Sequence, residues 1–368
     1  MKLVMLVLTF ILHVNFVFAS EQQADKRIAI LISSYGDKDH ENISYDLEEL
    51  AQAYLVLHDN GISLDIISPK GGAVLVKNNK DDLAYIQRFK NQTPALKQLN
   101  ATIASKDINV KNYDGIFIIG GSGAMFDLPV EENTQRLLSS FVRENKSIAA
   151  VCHGPASLVN LKNKDGKYFV AGKKVNSFTN KEEHAFGGDT AKQFPFLLED
   201  KLKERGAIFT ANSPMLPYVS VDGNLITAQN PGAVAIAAEA LIVKLGLKVK
   251  PRGQFKDEAT LALINQARSS GSYLIDIAIN SHPELYDLNY FALYGFYSYG
   301  LAETNEEKLK ELEIMTAVSR HFEHPMFMAN LIKAQLEQGF NKEAKQSFNN
   351  LKDIFPEEKV IAEIALLF

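Results

Sequence analysis

The chain has no tryptophan and only one cysteine among its 368 residues. With one thiol it can form no internal disulfide framework and no multi-thiolate zinc or iron–sulfur site. Glycine and proline, at 22 and 12 residues, are too scarce for a collagen-like or linker-dominated chain. Excess positive charge is also missing. The 39 Lys and Arg face 44 Asp and Glu, a net −5, which gives no electrostatic reason to expect nucleic acid as the partner. Beyond the first twenty residues, no apolar run approaches membrane-spanning length.

What is present is a globular composition, 46% hydrophobic, with enough chain for about two domains. Met1–Ser20 is set apart from the rest. Lys2 precedes a nearly unbroken apolar run from Leu3 to Phe18, which closes on the small residues Ala19 and Ser20. That pattern is expected of a secretory signal peptide cleaved after Ala19 or Ser20, and His13 and Asn15 weigh against an uncleaved anchor. The expectation is an exported protein, periplasmic or secreted. Without Lys2 the balance is 38 basic to 44 acidic groups, net −6.

From Arg27 to about Leu247 short β-branched runs alternate with amphipathic stretches. Arg27–Ile32 reads as a strand covered on both faces. Leu47, Leu50, Ala51, Tyr54, Leu55 and Leu57 then recur at helical spacing until Gly61, a helix stop. Ile62–Ile67, Gly115–Ile119 and Ser147–Val151 are further strands, with a helix over Thr134–Glu144 and another expected after Cys152. Alternation with crossover-length connections predicts an α/β fold, its sheet mostly parallel with helices on both faces. After the basic segment Lys248–Gly253 the β-branched runs vanish. The expected division is a signal over 1–20, an α/β domain over 26–247, a linker over 248–256 and an all-helical tail over 257–368. Within the tail, Leu331, Ala334, Gly339, Ala344, Phe348, Leu351 and Pro356 resemble the small, large and turn positions of a tetratricopeptide repeat, although Gln335 stands where an aromatic is expected. An unrelated helical cap is the alternative, and a tail of either kind is a candidate surface for a protein or peptide partner.

The single cysteine sits in Ala149-Ala150-Val151-Cys152-His153-Gly154-Pro155-Ala156, between a strand end and an expected helix start. Small residues at minus two and plus two make this the pattern of a nucleophile elbow. A helix N-terminus there would favour the thiolate and steady an oxyanion. A free cysteine is more commonly an inert core residue, but this location suits chemistry. His153 follows directly, and an elbow lets its imidazole fold back beside the thiol. A third group must come from elsewhere in the chain.

Through these residues the chain resembles the ThiJ/PfpI superfamily, of the class I glutamine amidotransferase-like fold, and within it the glyoxalase III-like branch. The similarity extends over Arg27 to Leu245. It rests on Ala150–Ala156, on the glycine-rich Gly120–Pro129, on Ser177–Glu183, on Pro195–Glu199 and on Gln229-Asn230-Pro231. The resemblance implies a flavodoxin-like, doubly wound sheet. It also implies an acidic residue on the first helix, twelve positions before the glycine preceding the second strand, which selects Glu49. Glu48 is then expected to be an exposed helical residue. Gly121 and Ser122, with His153, are the implied oxyanion and substrate-binding groups, although the branch commonly has His where this chain has Ser122. Glu183 is the candidate acidic partner of His153, with Glu182 or no acid as alternatives, and His184 is expected at the surface.

The activity so implied is a glyoxalase III-like lyase, of the hydro-lyase class, that turns methylglyoxal or other 2-oxoaldehydes into 2-hydroxy acids on Cys152 without glutathione, metal or organic cofactor. Deglycation and amide or peptide hydrolysis on the same cysteine are alternatives. So is a non-enzymatic stress chaperone or scaffold built on the helical tail. Related proteins often dimerise.

Overall fold

The computed structural model describes residues 25–36, 43–76 and 80–368, so the signal-like segment Met1–Ser20 lies outside the described residues. The chain begins with β1 (Arg27–Leu31), α1 (Leu47–Asp59) and β2 (Ser63–Ser68), followed by α2 (Ala84–Lys90), α3 (Thr93–Leu99) and the short β3 (Ile103–Ala104). Next come β4 (Gly115–Ile118), α4 (Glu132–Arg143) and β5 (Ser147–Val151). After a tight 3-10 turn over Gly154–Leu158 follow β6 (Lys174–Val175), α5 (Asn180–Phe186), α6 (Gly188–Ala191), α7 (Leu198–Glu204) and β7 (Ile208–Phe209). The hairpin β8 (Val219–Asp222) and β9 (Leu225–Ala228) and the helix α8 (Val234–Lys244) complete the α/β part.

Seven strands form one sheet in the order β3-β2-β1-β4-β5-β9-β8, and every neighbouring pair is parallel except β8 with β9. Alternation along each strand sends side chains to opposite faces, and here both faces are covered. Ile28, Ile30, Phe117, Ala149 and Val151 pack with α1 and α8 on one side. Ala29, Leu31, Ile116, Ile118, Ile148 and Ala150 pack with α4 and α7 on the other. Burial on both faces is why these strands read as continuous apolar runs, each fully buried Ile contributing about 1.5–3 kcal/mol. Strand order reverses beside β1, and in such sheets sites form at the C-terminal edge near that reversal.

The rest of the chain is all helical: α9 (Lys256–Ser270), α10 (Tyr273–Ser281), α11 (Leu288–Leu301), α12 (Asn305–Val318), α13 (Pro325–Glu337), α14 (Asn341–Ile354) and α15 (Val360–Ala365). Leu331, Ala334, Ala344 and Leu351 are buried there, and Gly339 makes the turn before α14 at φ +78°. The connection into this region is tied down. Lys250 N–H donates to Asn60 Oδ1 at 2.8 Å, and Arg252 bridges Glu239 and Glu258 at 2.8 and 2.7 Å. No helix among the described residues is long and apolar enough to cross a membrane.

Candidate functional site

Cys152 stands at the C-terminal end of β5 with φ +55°, a left-handed conformation rare for a residue bearing a Cβ. Two hydrogen bonds hold it there: its N–H donates to Ala228 O at 2.9 Å, and its carbonyl accepts from Phe178 N–H at 3.0 Å. The neighbouring glycines are set by contact rather than by flexibility. A Cβ on Gly154 would lie 2.7 Å from Ile118 O, and one on Gly120 would lie 2.7 Å from His153 N and 2.8 Å from Cys152 Cβ. The element after the elbow departs from expectation. Only the 3-10 turn Gly154–Leu158 follows, with Gly154 packed tightly against β4, so the expected helix-dipole support for the thiolate is missing.

The thiol is flanked by two acid-bearing arms. On one side, Glu49 of α1 is fully buried and accepts the Gly120 N–H at 2.7 Å through Oε2. Its other oxygen, Oε1, has no nitrogen or oxygen partner among the described residues, and the carboxyl group interacts instead with the Cys152 thiol. Burial, reinforced by neighbouring Asp46, holds Glu49 well above the usual carboxylate range. Asp46 caps α1 by accepting from Glu48 and Glu49 N–H at 2.8 and 3.1 Å, and burial pushes its own pKa up to about 6. Burial and the nearby carboxylates Glu49 and Asp46 raise the thiol as well. These shifts run opposite to the lowering expected of a thiol at a helix N-terminus: Cys152 and Glu49 each hold a proton more tightly than the free groups do.

On the other side, His153 folds back so that Nδ1 lies 3.4 Å from Cys152 Sγ, while Nε2 lies 2.7 Å from Glu183 Oε2. The His153–Glu183 pair is buried, and a proton on Nε2 facing the carboxylate leaves Nδ1 as the acceptor toward sulfur. Glu183 therefore reaches the imidazole and Glu182 does not. Glu182 closes the capping box of α5 with Thr179 and accepts from Met215 N–H, Gln229 and Asn230, at 2.8, 3.1 and 2.9 Å. His184 is exposed.

Gly121 has φ +88°, and a Cβ there would lie 2.5 Å from Asp46 N and Ser44 O, so the glycine-rich loop presses on the start of α1. The same loop thus connects Glu49, through Gly120, to Gly121 and Ser122 beside the elbow. Glu48 is not the exposed residue expected from its position. Its carboxylate accepts from Tyr85 and Tyr290 hydroxyls at 3.0 and 3.1 Å and pairs with Lys80 at 2.5 Å, because α2 and α11 both pack over the start of α1.

Several further side chains complete the site, some of them in the segments that carry the resemblance. Phe178 and Phe194 face the His153 ring at centroid distances of 4.9 and 5.5 Å, and Tyr35 and Phe126 extend this aromatic wall. Asp127 anchors the loop after β1 by accepting from Ser33 Oγ and Ser34 N–H at 2.9 and 2.7 Å, and burial lifts it to about 6. Asp46 had a sequence signal, an Asp directly before a helix with two Glu in its first turn. Phe126 and Phe178 lie in segments that carry the resemblance, but Tyr35 and Phe194 had no functional signal, since the wall is assembled from distant segments. Among the described residues no cluster of three His, Cys, Asp or Glu side chains is arranged to hold a metal ion.

Sheet and elbow together define a mixed, mostly parallel α/β protein with its lone thiol at the edge between two acids. The chain belongs to the DJ-1/PfpI family, which residues 27–244 match; that match ends before the helical region. Among its relatives, the glutathione-independent glyoxalase hsp3101 of Schizosaccharomyces pombe is 31% identical over 60% of this chain and 96% of its own. The glutathione-independent glyoxalase HSP31 of Saccharomyces cerevisiae is 28% identical over 57% of this chain and 94% of its own. Of solved structures, the 24 kDa rapid encystment protein of Francisella tularensis superposes with a TM-score of 0.56 at 31% identity, over 60% of this chain and 99% of that one.

Proposed function

We propose that the protein converts methylglyoxal-like 2-oxoaldehydes to 2-hydroxy acids without glutathione. The observation that carries this reading is the placement of Cys152 Sγ between the buried Glu49 carboxyl and the His153–Glu183 pair. Kinship at about 30% identity to glutathione-independent glyoxalases supports it.

In this mechanism Cys152 Sγ adds to the aldehyde carbon, and its proton passes to His153 Nδ1. The new oxygen takes up a proton, and a hemithioacetal results. The loop at Gly121 and Ser122 and the His153 backbone border the position of that oxygen. Removal of the C1 proton and its return at C2, through an enediol, converts the hemithioacetal into the thioester of the 2-hydroxy acid. Glu49 and His153 are the acid–base pair for this step, and a carboxyl group whose hold on its proton is strengthened by burial is suited to both taking and giving it. Water then cleaves the thioester and restores the thiol, so the net change is the aldehyde plus one water. Glu183 keeps the imidazole in the tautomer that presents Nδ1 to sulfur. The aromatic wall around His153 offers apolar surface to a small carbonyl compound.

The test is direct: purified protein incubated with methylglyoxal in the absence of any added thiol yields lactate, and Cys152→Ala yields none. Lactate formation by the Cys152→Ala protein, or none by the native protein, overturns the reading.

A further inference from the structure

The helical region after residue 255 has no part in the chemistry just described, yet it touches both arms that carry the acids. At the first arm, Tyr290 of α11 donates to Glu48 Oε2 at 3.1 Å, one residue from Glu49. Burial and Glu48 hold that phenol well above its usual range, which keeps it a donor. Asp257 of α9 meets the same helix one turn further on, accepting from Gln52 Nε2 at 2.8 Å. At the second arm, Tyr297 of α11 packs edge-on against Phe186 of α5, with ring centroids 4.9 Å apart, and Lys181 of α5 pairs with Glu303 at 3.0 Å. A third connection runs through the loop before β8. Leu216 is fully buried in the apolar core of the helical region, and the N–H of adjacent Met215, held at φ +68°, donates to Glu182 Oε1.

One helix, α11, therefore spans from the helix bearing Glu49 to the helix bearing Glu183. We propose that the helical region is an internal brace of the catalytic centre, with Tyr290 a positioning residue that acts through Glu48 to fix the Glu49 carboxyl against Cys152. The proposal rests on the glyoxalase reading only for its activity readout. It requires that the two acids be set at the correct distance from sulfur by a part of the chain that contributes no reacting atom. A group displaced by about an ångström in such a centre loses much of its effect on rate. The α1 N-terminus needs such a restraint because it gathers the acidic side chains of Asp46, Glu48 and Glu49 close together, where burial and their mutual repulsion raise Asp46 and Glu49.

The experiment uses the full-length chain. In each variant the rate of Cys152 alkylation by iodoacetamide is measured across pH, alongside methylglyoxal turnover. Tyr290→Phe removes one hydroxyl, and Tyr294→Phe on the same helix removes another, whose 2.8 Å bond to Glu311 lies within the helical region and reaches neither Glu48 nor Glu183. The expected result is that Tyr290→Phe changes the alkylation profile and lowers kcat about fivefold with KM within about twofold, while Tyr294→Phe leaves both unchanged. In a Glu49→Gln background Tyr290→Phe should have no further effect on alkylation, the signature of two residues acting as a unit. An unchanged alkylation profile for Tyr290→Phe overturns the proposal, as does an equal change for Tyr294→Phe or full additivity with Glu49→Gln. The alkylation measurements need no substrate. Absence of lactate from the native protein would defeat the functional reading and leave this inference standing or falling on its own data.

Discussion

Glu183 Oε2 lies 2.7 Å from His153 Nε2, while the adjacent Glu182 points into a cap formed with Thr179 and Asn230. Two consecutive carboxylates thus have separate tasks, and substitution should separate them. Glu183→Gln presents an amide to the imidazole, weakens the tautomer preference and should lower kcat at least tenfold, in keeping with roughly 10²–10⁴-fold for positioned acid–base groups. Glu182→Gln places an amide donor among donors and should cost about 2 kcal/mol of stability. Turnover measured beside thermal unfolding distinguishes the two: the first variant loses rate with little change in Tm, and the second loses Tm.

Glu49→Gln should lower turnover by about 10²-fold or more, since the variant can no longer exchange a proton. Its effect on the thiol runs the other way. Glu49 is among the groups that push Cys152 upward, so the iodoacetamide reaction of the variant should set in at lower pH than in the native protein. A thiol that is easier to ionise in an enzyme that turns over more slowly would show that Glu49 works by moving protons rather than by activating sulfur.

Asp257 gives a pH dependence of stability. Burial lifts its folded-state pKa to about 6 from the ordinary 3.8, with Gln52 and Tyr85 as side-chain donors to one oxygen and no side-chain donor to the other among the described residues. A raised carboxyl binds its proton more tightly in the folded state. Its stabilising contribution is therefore complete below the unfolded value, near 4, and is lost as pH rises to about 6. Asp257→Asn should match the native protein at pH 4 and exceed it by about 2 kcal/mol at pH 7.5. Denaturant unfolding at the two pH values checks the sign.

Gly154→Ala tests the elbow. The added methyl would meet Ile118 O at 2.7 Å, a backbone atom that cannot move without disturbing β4. Overpacking of this kind costs about 1–3 kcal/mol, and here the displacement is transmitted to Cys152 two residues away. A lower Tm together with slower alkylation of Cys152 is the expected outcome.

The sheet was readable from the sequence wherever a strand is buried on both faces, because continuous apolar runs such as Ile28–Ile32 and Ile116–Ile119 have no other good location. Cys152 and His153 were readable because the turn between strand and helix needs small residues at Ala150 and Gly154. The structure differs just after that point. A single 3-10 turn, packed closely against Ile118, stands where a helix was expected, and periodicity in so short an apolar stretch cannot tell one from the other. Glu48 was misplaced for a related reason. Its position on α1 is at the edge of the apolar stripe, and only the packing of Tyr85 and Tyr290 over it makes it a half-buried acceptor.

The lone cysteine shows how the information divides. Local sequence determined that the thiol sits at a strand end, in an elbow, beside a histidine, because backbone sterics within five residues demand it. Which carboxylates face that thiol was decided by the fold. Glu49 lies 103 positions before Cys152 and Glu183 lies 30 after His153, as their numbers show. Their distances from sulfur and imidazole follow from the sheet order and from the way α1, α5 and α11 pack, and those long-range relations leave no local signal in the chain.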